Sequence, residues 1–232
     1  KAKISKRLHG HYIVCGYGRV GRNVAHELER TNRHFVAIDE DEAMLEAQKE
    51  KNPALLFLHG DASDDDLLVR ADIEDAKGVF AVTGDDSKNL VVSLSTKQLN
   101  PAVRVVARVH DRRNVDKTRR AGADEIVSPD FTGGMRIASA MVRPHVVSFL
   151  DEMLRTEHKL RIEEVAVPLH FAPISLGKLG LRSPDYVLLA VRKHGDWVFN
   201  PGEDYVIEPG NTLVAMASPH GRQALEAALL PA

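Results

Sequence analysis

The fold is decided by His11-Tyr-Ile-Val-Cys-Gly-Tyr-Gly-Arg-Val-Gly21, a short apolar run that leads into the pattern Gly-x-Gly-x-x-Gly. The apolar run predicts a strand over residues 12–15. Val20, Val24 and Leu28 then recur every four residues, which predicts a helix that begins inside the glycine pattern. A glycine-rich turn between a strand and a helix is typical of phosphate-binding sites, because its backbone N–H groups face the anion.

The remainder of the first half repeats this alternation of strand and helix. Five further strands are predicted over residues 35–38, 55–58, 78–82, 103–109 and 125–127. Continuous apolar strands that alternate with helices indicate a parallel sheet covered on both faces. We therefore predict a Rossmann-like, doubly wound α/β sheet over residues 11–130.

The second half has a different pattern. Residues 131–159 are predicted to be helical, with a kink or break at Pro144. Short strands separated by Gly and Pro turns follow, over residues 161–167, 186–192, 197–199 and 212–216, with a final helix over 219–230. These features predict a small α+β lobe over residues 160–232.

The glycine pattern has a matching acidic residue. Gly16 allows the tight turn, Gly18 lets a pyrophosphate approach the backbone, and Gly21 lets the helix pack close to the sheet. Asp39 follows Gly21 by 18 residues at the end of the second predicted strand, where a carboxylate accepts hydrogen bonds from ribose hydroxyls. This favours NAD(H) or another adenine nucleotide (ADP, ATP or AMP) over a 2′-phosphorylated cofactor. A glycine turn with nothing bound is the alternative.

Further candidates lie where later strands end, because ligands of open α/β sheets bind there. Asp61 is placed to reach the adenine or its ribose, or else it only begins a helix. Thr83 ends the fourth strand beside the topological switch point. Arg19 and Arg108 are candidates to neutralise phosphate, and a solvated Arg19 is the alternative. The full predicted set of cofactor contacts is Gly16, Tyr17, Gly18, Arg19, Val20, Gly21, Asp39, Glu40, Asp61, Ala62, Thr83, Gly84 and Arg108.

Composition and charge argue against several classes of function. The formal net charge is −2, so no overall positive field attracts nucleic acid. No apolar stretch reaches the length of about 18 residues that a membrane span requires. Cys15 is the single cysteine; it excludes an intrachain disulfide, suits a reducing compartment and is predicted to be a buried thiol.

No catalytic residue and no metal-ligand set is predicted. Residues 64–66 are three consecutive aspartates, which suit a helix cap better than a cation site. His110 and Asp111 form an isolated acid/base pair, and a surface histidine is the preferred interpretation. The eleven histidines show no metal-ligand spacing.

The chain begins with Lys1 and carries four lysines and arginines in its first seven residues. Positive residues accumulate on the cytoplasmic side of membrane segments. We therefore predict that residues 1–10 are a basic linker and that the sequence is a fragment of a membrane protein. A processed or engineered start is the alternative.

These features together resemble the RCK domains, also called TrkA-N or KTN domains, which regulate potassium channels and transporters. The resemblance rests on the glycine stretch, on Asp39, and on the segments 59–62, 121–124 and 126–129. The second lobe resembles the TrkA-C lobe in the segments 175–182 and 208–213.

The resemblance implies a cytoplasmic regulatory module at the inner face of the cell membrane. It implies a dimer that often assembles into a ring of eight below a potassium pore, with residues 132–149 as the crossover helix that pairs two subunits. It also implies that the predicted contacts hold NAD(H) or an adenine nucleotide, and that binding gates potassium transport. A stand-alone regulatory subunit of a Trk/Ktr-type transporter, an exchanger tail and an NAD-dependent oxidoreductase are the alternatives.

The pattern departs from that of calcium-gated members of the family. Those members carry carboxylates near the ends of the fourth and fifth strands. This chain has Thr83, Arg108 and His110 there, which favours a nucleotide over direct calcium gating. A divalent cation bridging lobes or subunits stays open, with no ligands assigned to it.

Overall fold

The chain divides into two units between Met135 and Arg136. The structure is a computed structural model that describes residues 7–155 and 159–230. The division falls inside the predicted helical segment 131–159, and the two units are described separately below.

The first unit is built on one parallel six-stranded sheet. Its strands are β1 (Tyr12–Cys15), β2 (Phe35–Asp39), β3 (Phe57–His59), β4 (Gly78–Ala81), β5 (Arg104–Arg108) and β6 (Glu125–Val127). They lie in the order β3-β2-β1-β4-β5-β6, and every neighbouring pair is parallel. This is the doubly wound order, in which the chain reverses its direction of winding between β1 and β4. The predicted fold class is confirmed.

Helices connect these strands and cover both faces of the sheet. They are α1 (Arg19–Arg30), α2 (Glu42–Lys51), α3 (Asp65–Arg70), α4 (Asp86–Leu99) and α5 (Val115–Arg120), with 3₁₀ turns at Ile73–Asp75 and Arg112–Asn114. Alternate residues of β1 enter two apolar clusters, Ile13 and Cys15 in one and Val14 in the other. Cys15 is fully buried, and burial raises the pKa of its thiol to about 12. It is the inert thiol that its apolar surroundings predict.

The predicted basic linker is partly described. Residues 1–6 lie outside the described residues. Arg7 Nε donates to Asp75 Oδ2 at 2.6 Å, and the Leu8 N–H donates to Asp72 Oδ2 at 2.7 Å. The Gly10 N–H donates to the Asp75 carbonyl at 2.8 Å. The end of this segment is therefore attached to the first unit at the turn Ile73–Asp75.

Two helices occupy most of the predicted helical segment. They are α6 (Pro129–Val142) and α7 (Pro144–Met153), and Pro144 at the first turn of α7 separates them as predicted. Within the described residues, no helix is both long enough and apolar enough to cross a membrane. The large apolar side chains exposed on and just after these helices are Phe131, Met135, Ile137, Met141, Val142, Val146, Phe149, Leu150 and Leu154.

The second unit contains an antiparallel sheet and a packed terminal helix. Strands β7 (Arg161–Ala166), β9 (Tyr186–Lys193), β10 (Asp196–Phe199) and β12 (Thr212–Ala217) lie in the order β10-β9-β12-β7. A short ribbon of β8 (Ile174–Ser175) and β11 (Val206–Ile207) and the single-turn helix α8 (Leu176–Leu179) were not predicted. The hairpin between β9 and β10 was predicted; it turns at His194 and Gly195, both with positive φ.

Helix α9 (Pro219–Ala228) closes the core of the second unit. Ser218 caps it by accepting a hydrogen bond from the Gly221 N–H at 3.0 Å. Leu225 is fully buried and belongs to the same cluster as Leu213 and Val165. The helix therefore depends on burial of one apolar stripe against the sheet.

Replacing Leu225 with Ala tests this packing. Loss of a fully buried leucine should lower the free energy of unfolding by about 2–5 kcal/mol. Trp197, the single tryptophan, reports on the second unit by its fluorescence during urea denaturation. Leu230→Ala is the matched control, because Leu230 is 62% exposed and should change stability by less than about 0.5 kcal/mol. Equal effects of the two substitutions would contradict the packing.

Candidate functional site

A cleft of about 390 Å³ lies at the carboxyl ends of the parallel strands of the first unit. All of the predicted cofactor contacts line this cleft except Tyr17 and Gly21. The structure thus brings together residues that lie far apart in the sequence. The full lining is Gly16, Gly18, Arg19, Val20, Ile38, Asp39, Glu40, Gly60, Asp61, Ala62, Val82, Thr83, Gly84, Asp85, Lys88 and Arg108.

Two of the glycines are required by the backbone of the turn itself. Gly16 has φ +96°, and a Cβ there would lie 2.7 Å from the Thr83 backbone nitrogen. A Cβ on Gly21 would lie 1.8 Å from the Gly16 carbonyl oxygen. Gly21 therefore lies beneath the cleft, where it lets α1 approach the turn. Tyr17 also points away, and its ring is buried against Phe35 with 6.4 Å between ring centroids.

Gly18 is a glycine for a different reason. It caps α1 with ordinary extended dihedrals, and a Cβ there would meet no protein atom within 4 Å. Asp41, Asp64 and Asp85 cap the next three helices with their side chains, whereas α1 has no such cap. The first N–H groups of α1 thus have no capping side chain, and such groups bind anions.

Asp39 is held in a fixed orientation at the end of β2. Its Oδ2 accepts a hydrogen bond from the Tyr17 N–H at 2.6 Å, and its Oδ1 accepts one from the Asp41 N–H at 2.8 Å. Each carboxylate oxygen has a second lone pair available for a ligand hydroxyl. The backbone of Tyr17 thereby connects the ribose-binding candidate to the glycine turn.

Asp61 lies in the cleft and does not begin a helix, because α3 begins at Asp65 and Asp64 is its cap. It lines the cleft and also accepts hydrogen bonds from the Ser63 hydroxyl at 2.6 Å and the Ser63 N–H at 2.9 Å. The hydroxyl bond is the largest cause of the lowered pKa of Asp61, followed by the amide bond. Asp61 is thus a charged acceptor at neutral pH.

Lys88 is a cleft residue that the sequence did not reveal. Its Nζ lies 2.8 Å from Glu40 Oε2 and 3.6 Å from Asp61 Oδ2. It lies in the first turn of α4, three residues after the cap Asp85. Its position in the sequence was the one signal that could have revealed it. The first turn of a helix that follows a parallel strand lies at the same edge of the sheet as the glycine turn.

Arg19 and Arg108 also line the cleft, but their surroundings differ from those of Lys88. Arg19 is exposed and Arg108 is half-buried. Among the described residues, neither guanidinium has a hydrogen bond or an ion pair with another side chain. Both cations are therefore available to an anionic ligand.

Asn89 is a second residue that the sequence did not reveal. It is fully buried, and its Oδ1 accepts from the Thr83 N–H at 2.9 Å and from the Thr83 hydroxyl at 2.7 Å. Its Nδ2 donates to the Thr83 carbonyl at 3.0 Å and to the Arg108 carbonyl at 2.9 Å. One amide thus joins the ends of β4 and β5 beside the switch point.

The other titratable candidates do not line the cleft. Asp64 accepts from the Asp66 N–H as a helix cap, as predicted. His110 is exposed and lies 3.2 Å from Asp130, and Asp111 is paired with Arg113. Within the described residues, no three His, Cys, Asp or Glu side chains converge as metal ligands would.

The profile of the TrkA-N domain matches residues 12–129, about half of the chain. The chain belongs to the TrkA-N domain family. The match covers the sheet and the cleft, and it confirms this part of the resemblance seen in the sequence. It does not extend to the lobe likened to TrkA-C.

Relatives of this TrkA-N protein include membrane transport proteins. The chain is 38% identical over 215 residues to Potassium channel protein 1 of Methanocaldococcus jannaschii, covering 92% of this chain and 65% of the relative. It is 30% identical over 219 residues to the Trk system potassium uptake protein TrkA of Mycobacterium tuberculosis, covering 94% and 97%. The chain thus spans about two thirds of the channel protein and nearly all of the TrkA protein.

A solved structure extends the likeness of this TrkA-N protein to most of its length. The crystal structure of the GsuK RCK domain has a TM-score of 0.51 at 24% identity, covering 97% of this chain and 48% of that chain. At this identity the likeness concerns the fold. The fold of this chain is thus similar to that of an RCK domain, as the sequence predicted.

Substituting Asn89 with Leu tests the polar junction in the TrkA-N unit. Three backbone groups at this partly buried junction would lose their partner, which should cost about 1–3 kcal/mol of stability for each group left unsatisfied. Urea denaturation followed by circular dichroism measures the loss. Gln98→Leu on the exposed face of the same helix is the control and should leave stability within about 0.5 kcal/mol. An unchanged Asn89→Leu midpoint would show that the junction carries no stability.

Proposed function

We propose that this TrkA-N protein is a ligand-sensing regulatory unit of a potassium transport protein, and that it binds NAD(H) or an adenine nucleotide in the cleft. One observation carries the proposal: an uncapped helix amino terminus, an oriented carboxylate and two arginines, unpaired within the described part of the chain, line a single cleft. A helix amino terminus binds phosphate, a carboxylate accepts ribose hydroxyls, and arginines neutralise additional phosphate charge.

The cleft residues have distinct roles in this proposal. The first N–H groups of α1, reached over Gly18, hold the phosphate next to the glycine turn. Asp39 accepts the ribose hydroxyls with the lone pairs that its backbone donors leave free. Arg19 and Arg108 neutralise phosphate charge. The bound nucleotide therefore connects the β1 side of the switch point to the β5 side.

The names of the relatives support a role in potassium transport. One is described as a potassium channel protein and another as a potassium uptake protein of the Trk system. We propose the channel arrangement first, in which the chain lies on the cytoplasmic side below a pore. The 97% coverage of TrkA favours a second arrangement, a stand-alone regulatory subunit. In neither arrangement does the chain act as an enzyme.

Assembly follows from the apolar surface of α6 and α7. Ile137 and Met141 are four residues apart on α6, and they are 75% and 84% exposed. Such a contiguous apolar row is characteristic of a protein interface. We propose that these helices pair two copies of the chain, that the dimers form a ring of eight, and that the second unit is a TrkA-C lobe.

Coupling between nucleotide and transport is a matter of differential affinity. A ligand shifts the equilibrium between two ring conformations only by the difference between its binding free energies to them. Eight sites with a difference of about 1 kcal/mol each would supply about 8 kcal/mol, more than the about 5.5 kcal/mol that moves a two-state equilibrium from 1:99 to 99:1. Small changes in each cleft would thus suffice.

Calorimetry with NAD⁺, NADH, ADP, ATP and AMP tests the site. At least one should bind in the micromolar range, and Gly18→Ala should weaken that binding about tenfold or more because its methyl group separates phosphate from backbone. The variant should fold normally, since a Cβ at Gly18 meets no protein atom within 4 Å.

Gly202→Ala is the matched control for this experiment. Its Cβ also meets no protein atom within 4 Å, and it lies in the second unit and does not line the cleft. It should bind nucleotide as the unmodified chain does. Absence of binding to all five nucleotides would contradict the proposal. Normal binding by Gly18→Ala would show that the phosphate does not bind at this turn. In proteoliposomes with the complete transport protein, the same nucleotide should change Rb⁺ flux, and Gly18→Ala should abolish the response.

Met141→Glu tests the proposed pairing of two copies. A carboxylate at the centre of an apolar interface should dissociate the dimer, which sedimentation velocity detects as a shift to the monomer. Leu169→Glu is the control, because Leu169 is 89% exposed but lies outside α6 and α7. An unmodified chain that sediments as a monomer at high micromolar concentration would contradict pairing through these helices.

A further inference from the structure

Lys88 differs from the other cations of the cleft. Its ammonium is shared between two carboxylates, at 2.8 Å from Glu40 Oε2 and 3.6 Å from Asp61 Oδ2. Arg19 and Arg108 have no such partners among the described residues. The Glu40 bond is the largest cause of the raised pKa of Lys88, so the ammonium stays charged. The cleft thus contains two available cations and one that is already engaged.

The position of Lys88 is fixed by the elements around it. The cap Asp85 accepts a hydrogen bond from the Lys88 N–H at 3.2 Å, which sets the first turn of α4. Glu40 directly follows Asp39 at the end of β2. The ammonium therefore pairs with the residue that directly follows Asp39, the carboxylate to which the proposed function assigns the ribose.

A cation near the end of β2 affects which ribose a dinucleotide-binding fold accepts. In dinucleotide-binding folds, an acidic residue there accepts the ribose 2′-hydroxyl, and a nearby cation accommodates a 2′-phosphate. Lys88 is such a cation, but its ammonium is already paired with the carboxylates of Glu40 and Asp61. A 2′-phosphate would add about two negative charges to a place with three carboxylates and one ammonium.

We propose that the Glu40–Lys88 ion pair determines specificity by excluding 2′-phosphorylated nucleotides, and that neutralising Glu40 releases Lys88 to bind a 2′-phosphate. This inference rests on the proposed nucleotide function and deepens it. Lys88 is then a specificity residue that contacts the ligand only when Glu40 does not hold it. The ligand class of the unmodified chain is a nucleotide with a free ribose 2′-hydroxyl.

The pair is suited to a binding test because it contributes little to folding. The side chains of Lys88 and Glu40 are 30% and 59% exposed, and ion pairs of this kind add little to stability. Glu40→Gln and Lys88→Gln should therefore melt at the temperature of the unmodified chain. Any change in binding would then report on the cleft and not on the fold.

The experiment compares the binding of NADH with that of NADPH by calorimetry. The unmodified chain should prefer NADH, and Glu40→Gln should shift the affinity ratio toward NADPH by about tenfold. The double variant Glu40→Gln, Lys88→Gln should lose that gain. The gain should also shrink as ionic strength rises, because it is electrostatic.

Glu42→Gln is the matched control. It removes the same charge from an exposed glutamate two residues away, which does not line the cleft, and it should leave the ratio within about twofold. Equal ratios for Glu40→Gln and Glu42→Gln, or a gain that survives in the double variant, would overturn the inference while NADH binding keeps the proposed function intact. Absence of any nucleotide binding to the unmodified chain would overturn both.

Discussion

The close approach of α1 to the glycine turn is the constraint on which the rest of the first unit depends. A Cβ on Gly21 would lie 1.8 Å from the Gly16 carbonyl oxygen, so no other residue permits this packing without a backbone shift. Because α1 lies so near the turn, its amino terminus faces the carboxyl edge of the sheet. Because its cap is Gly18, no side chain takes the N–H groups there. One steric condition thus creates the position that we propose for the phosphate.

Two polar side chains extend this constraint across the edge of the sheet. Asp39 binds the Tyr17 N–H and thereby joins the end of β2 to the turn after β1. Asn89 binds both Thr83 and the Arg108 carbonyl, and so joins the ends of β4 and β5. Both are costly to remove, since backbone groups at this edge of the sheet would lose their hydrogen-bond partners. The cleft is therefore preorganised on both sides of the switch point.

The sequence predicted the sheet well because buried parallel strands are continuous apolar runs. All six strands were found within about two residues, and the glycine pattern located the turn. The β8–β11 ribbon was missed, since strands of two residues have no periodicity to detect. Lys88 and Asn89 were missed for another reason. Their roles depend on carbonyls and carboxylates of β2, β3 and β5, which only the folded chain brings near α4.

The charges of the cleft divide into two groups with different consequences for a ligand. Arg19 and Arg108 have no side-chain partners within the described residues, so an anionic ligand gains their attraction without breaking an ion pair. Lys88 is held by Glu40 and Asp61, so a ligand that uses it must first displace a carboxylate. In the function that we propose, affinity for phosphate and discrimination at the ribose therefore reside in separate residues. Each can change by substitution without the other, because different side chains carry them.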